Sequence, residues 1–224
     1  MSKEKRFIYS IYAIFLMAYL TLTSTTPILL TISVSSHIPL THLQLGVSIL
    51  FLLFSCSSVL LGPVSDFLGR RNVLLATQCT GIIGLIVCAF SDSFVSISIG
   101  LAIIGLGTGA YSVVARSIVN HTINDHHTLF KIYSTFSLLI MLGPIVSTKL
   151  SIAIANSLGW HVVYIALFIL EIFVLLATYL NIHEPDKAFK PSRISVSGIA
   201  QQFIYCAKQP VFVKNAILVG LFYL

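Results

Sequence analysis

The chain alternates between long apolar runs and short polar breaks. Six runs approach or exceed the roughly 20 mostly apolar residues needed to cross a bilayer as a helix: Phe7–Val34, Leu43–Leu61, Val73–Phe90, Phe94–Ala115, Ile132–Ile154 and His161–Leu180. A further run begins at Val211 and reaches Leu224 without the length to span. Between the sixth and the last lies the one long polar stretch, His183 to Gln209, punctuated by Pro185, Pro191 and Gly198. The pattern predicts an all-α membrane protein with three parts: a six-helix bundle over 1–182, a central linker over 183–209, and the start of a seventh helix over 210–224.

Composition agrees. Of the 224 residues, 57% are hydrophobic and 9% charged, against about 25% charged in soluble domains. There are too few charges to cover a water-facing surface or to keep a chain disordered. The net charge of +6 has a topological origin. With the N-terminus inside, one side of the membrane collects Lys3, Lys5, Arg6, Arg70, Arg71, Arg116, Lys131, Lys187, Lys190, Arg193, Lys208 and Lys214, and the other only Lys149. Cytoplasmic loops retain Lys and Arg, so the expected N-terminus is cytoplasmic, in the plasma or cell inner membrane. Basic residues scattered between spans do not form the polar face that nucleic acid requires. The first run is too long for a cleaved signal peptide. Cys56, Cys79, Cys88 and Cys206 form no C-x-x-C pair and read as small apolar fillers.

Spans two and three are joined by Gly62-Pro63-Val64-Ser65-Asp66-Phe67-Leu68-Gly69-Arg70-Arg71. Gly62 permits close backbone approach and Gly69 a turn at positive φ. Asp66 is expected to cap a helix start, and Arg70 and Arg71 to anchor on headgroups or carboxylates. The spacing G-x-x-x-D-x-x-G-R-R resembles the signature loop of the major facilitator superfamily, with Phe67 where that family usually carries Arg or Lys. Gly-Pro-Val-Ser-Asp, Ala115-Arg116-Ser117-Ile118-Val119, Gly159-Trp160 and His183-Glu184-Pro185 look like the bicyclomycin-resistance type of drug:proton antiporter.

The resemblance covers essentially the whole chain and implies the N-terminal half of a two-bundle fold, each bundle built from 3+3 inverted repeats. A complete chain of this length would lack the second bundle, leaving a half-transporter inactive alone or dimerising with itself or with a separate half. The implied function is alternating-access transport: proton-coupled efflux of small drug-like or metabolite molecules, without cofactor or covalent chemistry. The implied role of Gly62, Asp66, Gly69, Arg70 and Arg71 is a gate that clamps the two bundles.

The sequence also departs from that pattern. Leu101 and Ile104 stand where the family's span-four Arg and Gln fall, and Thr23-Ser24-Thr25-Thr26 precedes Pro27 with no acid. Losing acid and base together is physically consistent, because an isolated one is costly in lipid, and it weakens the usual proton route. In span five Gly143-Pro144 matches the antiporter signature and should kink the helix, while Ser147 and Thr148 replace its paired glycines.

Glu171 is the carboxylate nearest a bilayer midplane, on one stripe with Tyr164 and Thr178 that should face protein. It reads either as a coupling acid or as a neutral Glu bonded between helices. By analogy Thr23, Thr26, Tyr111 and Ser112 would line the cavity. Gly105 and Gly109 form a G-x-x-x-G suited to helix contact. His121, Asp125, His126 and His127 read as an ordinary loop rather than a metal site. An intramembrane enzyme would need a nucleophile motif, and none is present.

Overall fold

A computed structural model describes residues 3–182 and Gln209. The expected linker, apart from Gln209, and the seventh helix lie outside the described residues. The rest is six helices: α1 Lys3–Ser36, α2 Leu40–Leu68, α3 Arg70–Ala89, α4 Phe94–Thr122, α5 His126–Leu158 and α6 Trp160–Asn181. All six are long and apolar enough to cross a membrane, and no strand occurs among the described residues.

Every predicted span maps onto one helix, with only Phe90 of the third falling outside its helix, and most helices run past the apolar runs. The run read as ending at Leu61 continues through Gly62 and Pro63 to Leu68. Proline costs a helix one backbone bond, here the one to the Val59 carbonyl, yet the helix continues through it; separately, the Ser65 hydroxyl donates to the Gly62 carbonyl at 2.7 Å. Likewise α4 extends to Thr122, so His121 belongs to its last turn rather than to a loop. Asp125 then caps α5, accepting from the Thr128 hydroxyl (2.6 Å), the Thr128 amide (2.8 Å) and the His127 amide (3.3 Å). These bonds hold its carboxyl below the usual carboxylate range, with the Thr128 hydroxyl contributing most.

Contacts between helices repeat. α1 packs against α5 and α6, and α4 packs in the same way against α2 and α3. Mapping α1, α2 and α3 onto α4, α5 and α6 therefore carries the packing onto itself, as two three-helix repeats require. The joints obey the same mapping. α2 meets α3 through Gly69 alone (φ 90°), and α5 meets α6 through Gly159 alone (φ 92°). Twelve residues before each of these glycines a serine reaches the first helix of the other repeat. Ser57 donates to the Leu106 carbonyl at 2.6 Å and Ser147 to the Leu20 carbonyl at 2.9 Å.

Lipid supplies no hydrophobic drive between helices, so close packing must hold the bundle. Glycines on two sides of α4 provide it. A Cβ on Gly109 would lie 2.6 Å from the Phe54 carbonyl oxygen of α2, and one on Gly105 would run into that of Leu50. On the α3 side, a Cβ on Gly107 would lie 2.6 Å from the Gly81 nitrogen. Thus the G-x-x-x-G of α4 seats α2, and a second glycine seam seats α3. The outer faces of α2 and α5 are left apolar and uncovered, with Leu52, Val59, Met141 and Ile145 each more than half exposed.

Candidate functional site

The hairpin between α2 and α3 is built as a clasp. Asp66 lies in the last turns of α2, not at a helix start as expected, because α2 continues past Pro63. A carboxylate near a helix C-terminus is disfavoured by the dipole, and Arg70 compensates it. The Arg70 guanidinium donates through Nη2 (2.8 Å) and Nε (3.0 Å) to Asp66 Oδ1, and through Nη1 to the Ser117 carbonyl of α4 at 3.3 Å. Both donors converge on one carboxylate oxygen, so the pair straddles the Gly69 turn while its third bond ties the turn to α4. Arg71 points the other way. Its Nη2 donates to the Tyr179 carbonyl of α6 at 3.0 Å, and its guanidinium lies 5.2 Å from the centre of the Tyr179 ring. Two adjacent arginines therefore fasten one turn to α4 and to α6.

Arg116, on α4, stacks over the Phe15 ring of α1 at 5.2 Å. It is half-buried. Gly143 is buried, and a Cβ there would meet the Tyr19 Cβ of α1 at 3.1 Å. With Pro144 beside it inside α5 and Ser147 bonded to Leu20, this short motif forms one part of the α1–α5 contact, the Phe136 ring stacked on Phe15 forming another.

The expected stripe on α6 does face protein, since Tyr164, Glu171 and Thr178 are all buried. Tyr164 shares a 3.1 Å hydrogen bond with Thr25 of α1. Tyr111 is fully buried and donates to Glu171 Oε1 at 2.8 Å; its hydroxyl is engaged by α6. Of the other three residues named as lining, Ser112 and Thr23 are half-buried and Thr26 is exposed. The Thr23 hydroxyl donates to the Tyr19 carbonyl at 2.7 Å.

Gln78 of α3, fully buried beside Glu171, was not singled out by the sequence. Its signal was an uncharged amide in the middle of an apolar run, and hydropathy alone does not register that as a site. Of the cysteines, Cys88 is buried, Cys56 and Cys79 are exposed, and Cys206 lies outside the described residues.

This architecture, six apolar helices in two swapped triplets with a basic glycine hairpin, defines a class of membrane carrier. The Major Facilitator Superfamily model matches residues 11–224, and the chain belongs to that family. It is 29% identical over 130 residues to "Vacuolar basic amino acid transporter 2" of Saccharomyces cerevisiae, a match covering 57% of this chain and 26% of that protein. It is 24% identical over 119 residues to "Multidrug resistance protein D" of Escherichia coli, covering 53% and 30%. The solved human organic anion transporter MFSD10 shares the fold at a TM-score of 0.69 and 19% identity, over 90% of this chain and 53% of that one. The chain thus spans about half of that structure and less than a third of each of these two relatives. It is an integral membrane protein of a family that transports small molecules.

Proposed function

We propose that this chain forms the N-terminal bundle of an alternating-access transporter that exports small, fairly apolar organic molecules in exchange for protons, with its N-terminus in the cytoplasm. The observation that carries this reading is the hairpin clasp, in which Arg70 spans Asp66 and the Ser117 carbonyl at the end of the bundle that gathers most of the basic residues. A joint held by two arginines can be locked or released by a small change in either partner, as a rocking carrier requires. In this reading the uncovered faces of α2 and α5 pack against a second six-helix body, either the other half of the transporter or a second copy.

Efflux is favoured over uptake by the relative named for multidrug resistance and by the likeness of the hairpin to drug:proton antiporters. Proton exchange is favoured by the one carboxylate buried among the described helices, Glu171. The test is uptake into inverted sealed vesicles, the direction that corresponds to export from the cell, with and without an imposed pH gradient. Accumulation of apolar cations or neutral dyes only with the gradient is the expected result. Transport indifferent to the gradient, or none for any small molecule, would count against the proposal.

A further inference from the structure

The hairpin uses none of the polar groups buried between α3, α4 and α6. There Glu171 Oε1 accepts from the Tyr111 hydroxyl at 2.8 Å. Glu171 Oε2 and both ends of the Gln78 amide are buried without a hydrogen-bond partner, and Gln78 lies beside the carboxyl. The cluster is shaped for its contents. A Cβ on Gly81, one turn from Gln78, would stand 2.7 Å from the Tyr111 hydroxyl, so this glycine clears the space that lets the hydroxyl reach α6.

Among the described residues no cation faces the carboxyl. α3 presents Gln78 and, near Tyr111, Cys79; α4 presents Tyr111. The α1 segment between the Ser10–Ala177 and Thr25–Tyr164 contacts carries no acid or base stronger than Tyr12 and Tyr19. Where α5 and α6 line a cavity beside Leu20, the polar groups of α5 are Ser147 and Ser151, and Lys149 is exposed. The guanidinium on α4, Arg116, is turned to Phe15. A bare carboxylate with one unbonded oxygen is costly in such a place, whereas a neutral acid needs only one acceptor for its hydroxyl.

Gln78 can serve either form, since an amide carries both an acceptor oxygen and donor hydrogens. We propose that Glu171 and Gln78 form a proton-exchange site. The acid's Oε2–H donates to Gln78 Oε1; when the proton leaves to water, the amide turns over and Nε2–H donates to the carboxylate. Tyr111 holds Oε1 in both states. No other bond changes. This deepens the proton-coupled reading above and rests on it for the role of the exchanged proton.

The test is infrared spectroscopy of the full-length protein in bilayers across neutral to alkaline solution. The expected wild-type spectrum has a hydrogen-bonded protonated-carboxyl band that fades with alkalinity. The band should be absent in Glu171→Gln, moved but kept in Glu171→Asp, and shifted to the position of an unbonded acid in Gln78→Leu. A spectrum with no such band that Glu171→Gln removes, or a band that Gln78→Leu leaves in place, overturns the proposal. The wild-type titration decides whether or not any variant folds. Vesicle transport indifferent to the pH gradient would count against the coupled reading and not against the site.

Discussion

Replacing Gly107 by alanine asks α3 and α4 to separate. The new Cβ would lie 2.6 Å from the Gly81 nitrogen, 2.8 Å from the Gly81 Cα and 2.8 Å from the Thr77 carbonyl oxygen. All three are backbone atoms, so no side chain can swing aside. Restoring ordinary contact, about 3.4 Å or more, requires a shift near 0.8 Å. A gap of that size forfeits about a quarter to a half of each contact along the seam, at about 0.1–0.2 kcal/mol per atom pair. Over some tens of pairs this comes to roughly 1–3 kcal/mol, in line with other overpacked cores. The alanine returns about 1 kcal/mol of helix propensity.

Gly46→Ala, inside α2, is the matched control, because the nearest atoms its Cβ would meet are side-chain ends, Leu101 Cδ1 and Ser98 Oγ, each at 3.3 Å. It keeps the propensity gain with little clash. The two variants should therefore differ by about 2 kcal/mol, or roughly 4–8 °C in unfolding temperature for a body of this size. Thermal unfolding of the purified full-length protein in one detergent at one scan rate measures the difference. If Gly107→Ala unfolds at or above the temperature of Gly46→Ala, the backbone-to-backbone seam between α3 and α4 is refuted.

Other expectations concern polar contacts. Asp66→Asn should cost only about 0.5 kcal/mol, because the carboxylate is half exposed and screened. Arg70→Ala should cost about 1–2 kcal/mol, since it also frees the Ser117 carbonyl; a double-mutant cycle in thermal unfolding separates the two. Arg70→Lys should fail to restore stability, as an ammonium cannot reproduce the fork that spans both partners. Tyr111→Phe should destabilise by about 1 kcal/mol by taking the donor from Glu171 Oε1. Gly81→Ala should do at least as much by displacing the same hydroxyl, and unfolding temperatures check both. Asp125 has its titration pulled down by its caps, so its stabilisation of α5 is present at neutral pH and is lost as pH falls through the carboxylate range. Hydrogen-exchange protection at the His127 and Thr128 amides, taken relative to the intrinsic rate at each pH, should fall on acidification, and that fall should vanish in Asp125→Ala.

Much of this was legible because lipid imposes a simple rule: a crossing segment must be apolar and helical. The centres of all six helices, the turn at Gly69 and the inward stripe through Tyr164, Glu171 and Thr178 follow from that rule and from periodicity. Helix ends do not. Polar residues such as His121, or the Gly62–Pro63 step, look like interruptions to a hydropathy scan, yet the backbone continues through them with local hydroxyl and cap bonds. That is why Asp66 was assigned to a helix start. Partners across helices are equally invisible to local spacing. Glu171 could be picked out alone, but its neighbours Gln78 and Tyr111 come from α3 and α4, and only the packing brings them together.

A joint made of one residue has almost no slack. Between α2 and α3, and again between α5 and α6, only the two torsions of a glycine separate one rod from the next. A loop of several residues would let the two helix ends drift apart; these corners keep them one residue from each other, so a displacement of one end is passed to its neighbour. Inserting a few flexible residues at Gly69 or Gly159 would leave every buried contact in reach and still cut the mechanical linkage between the arms.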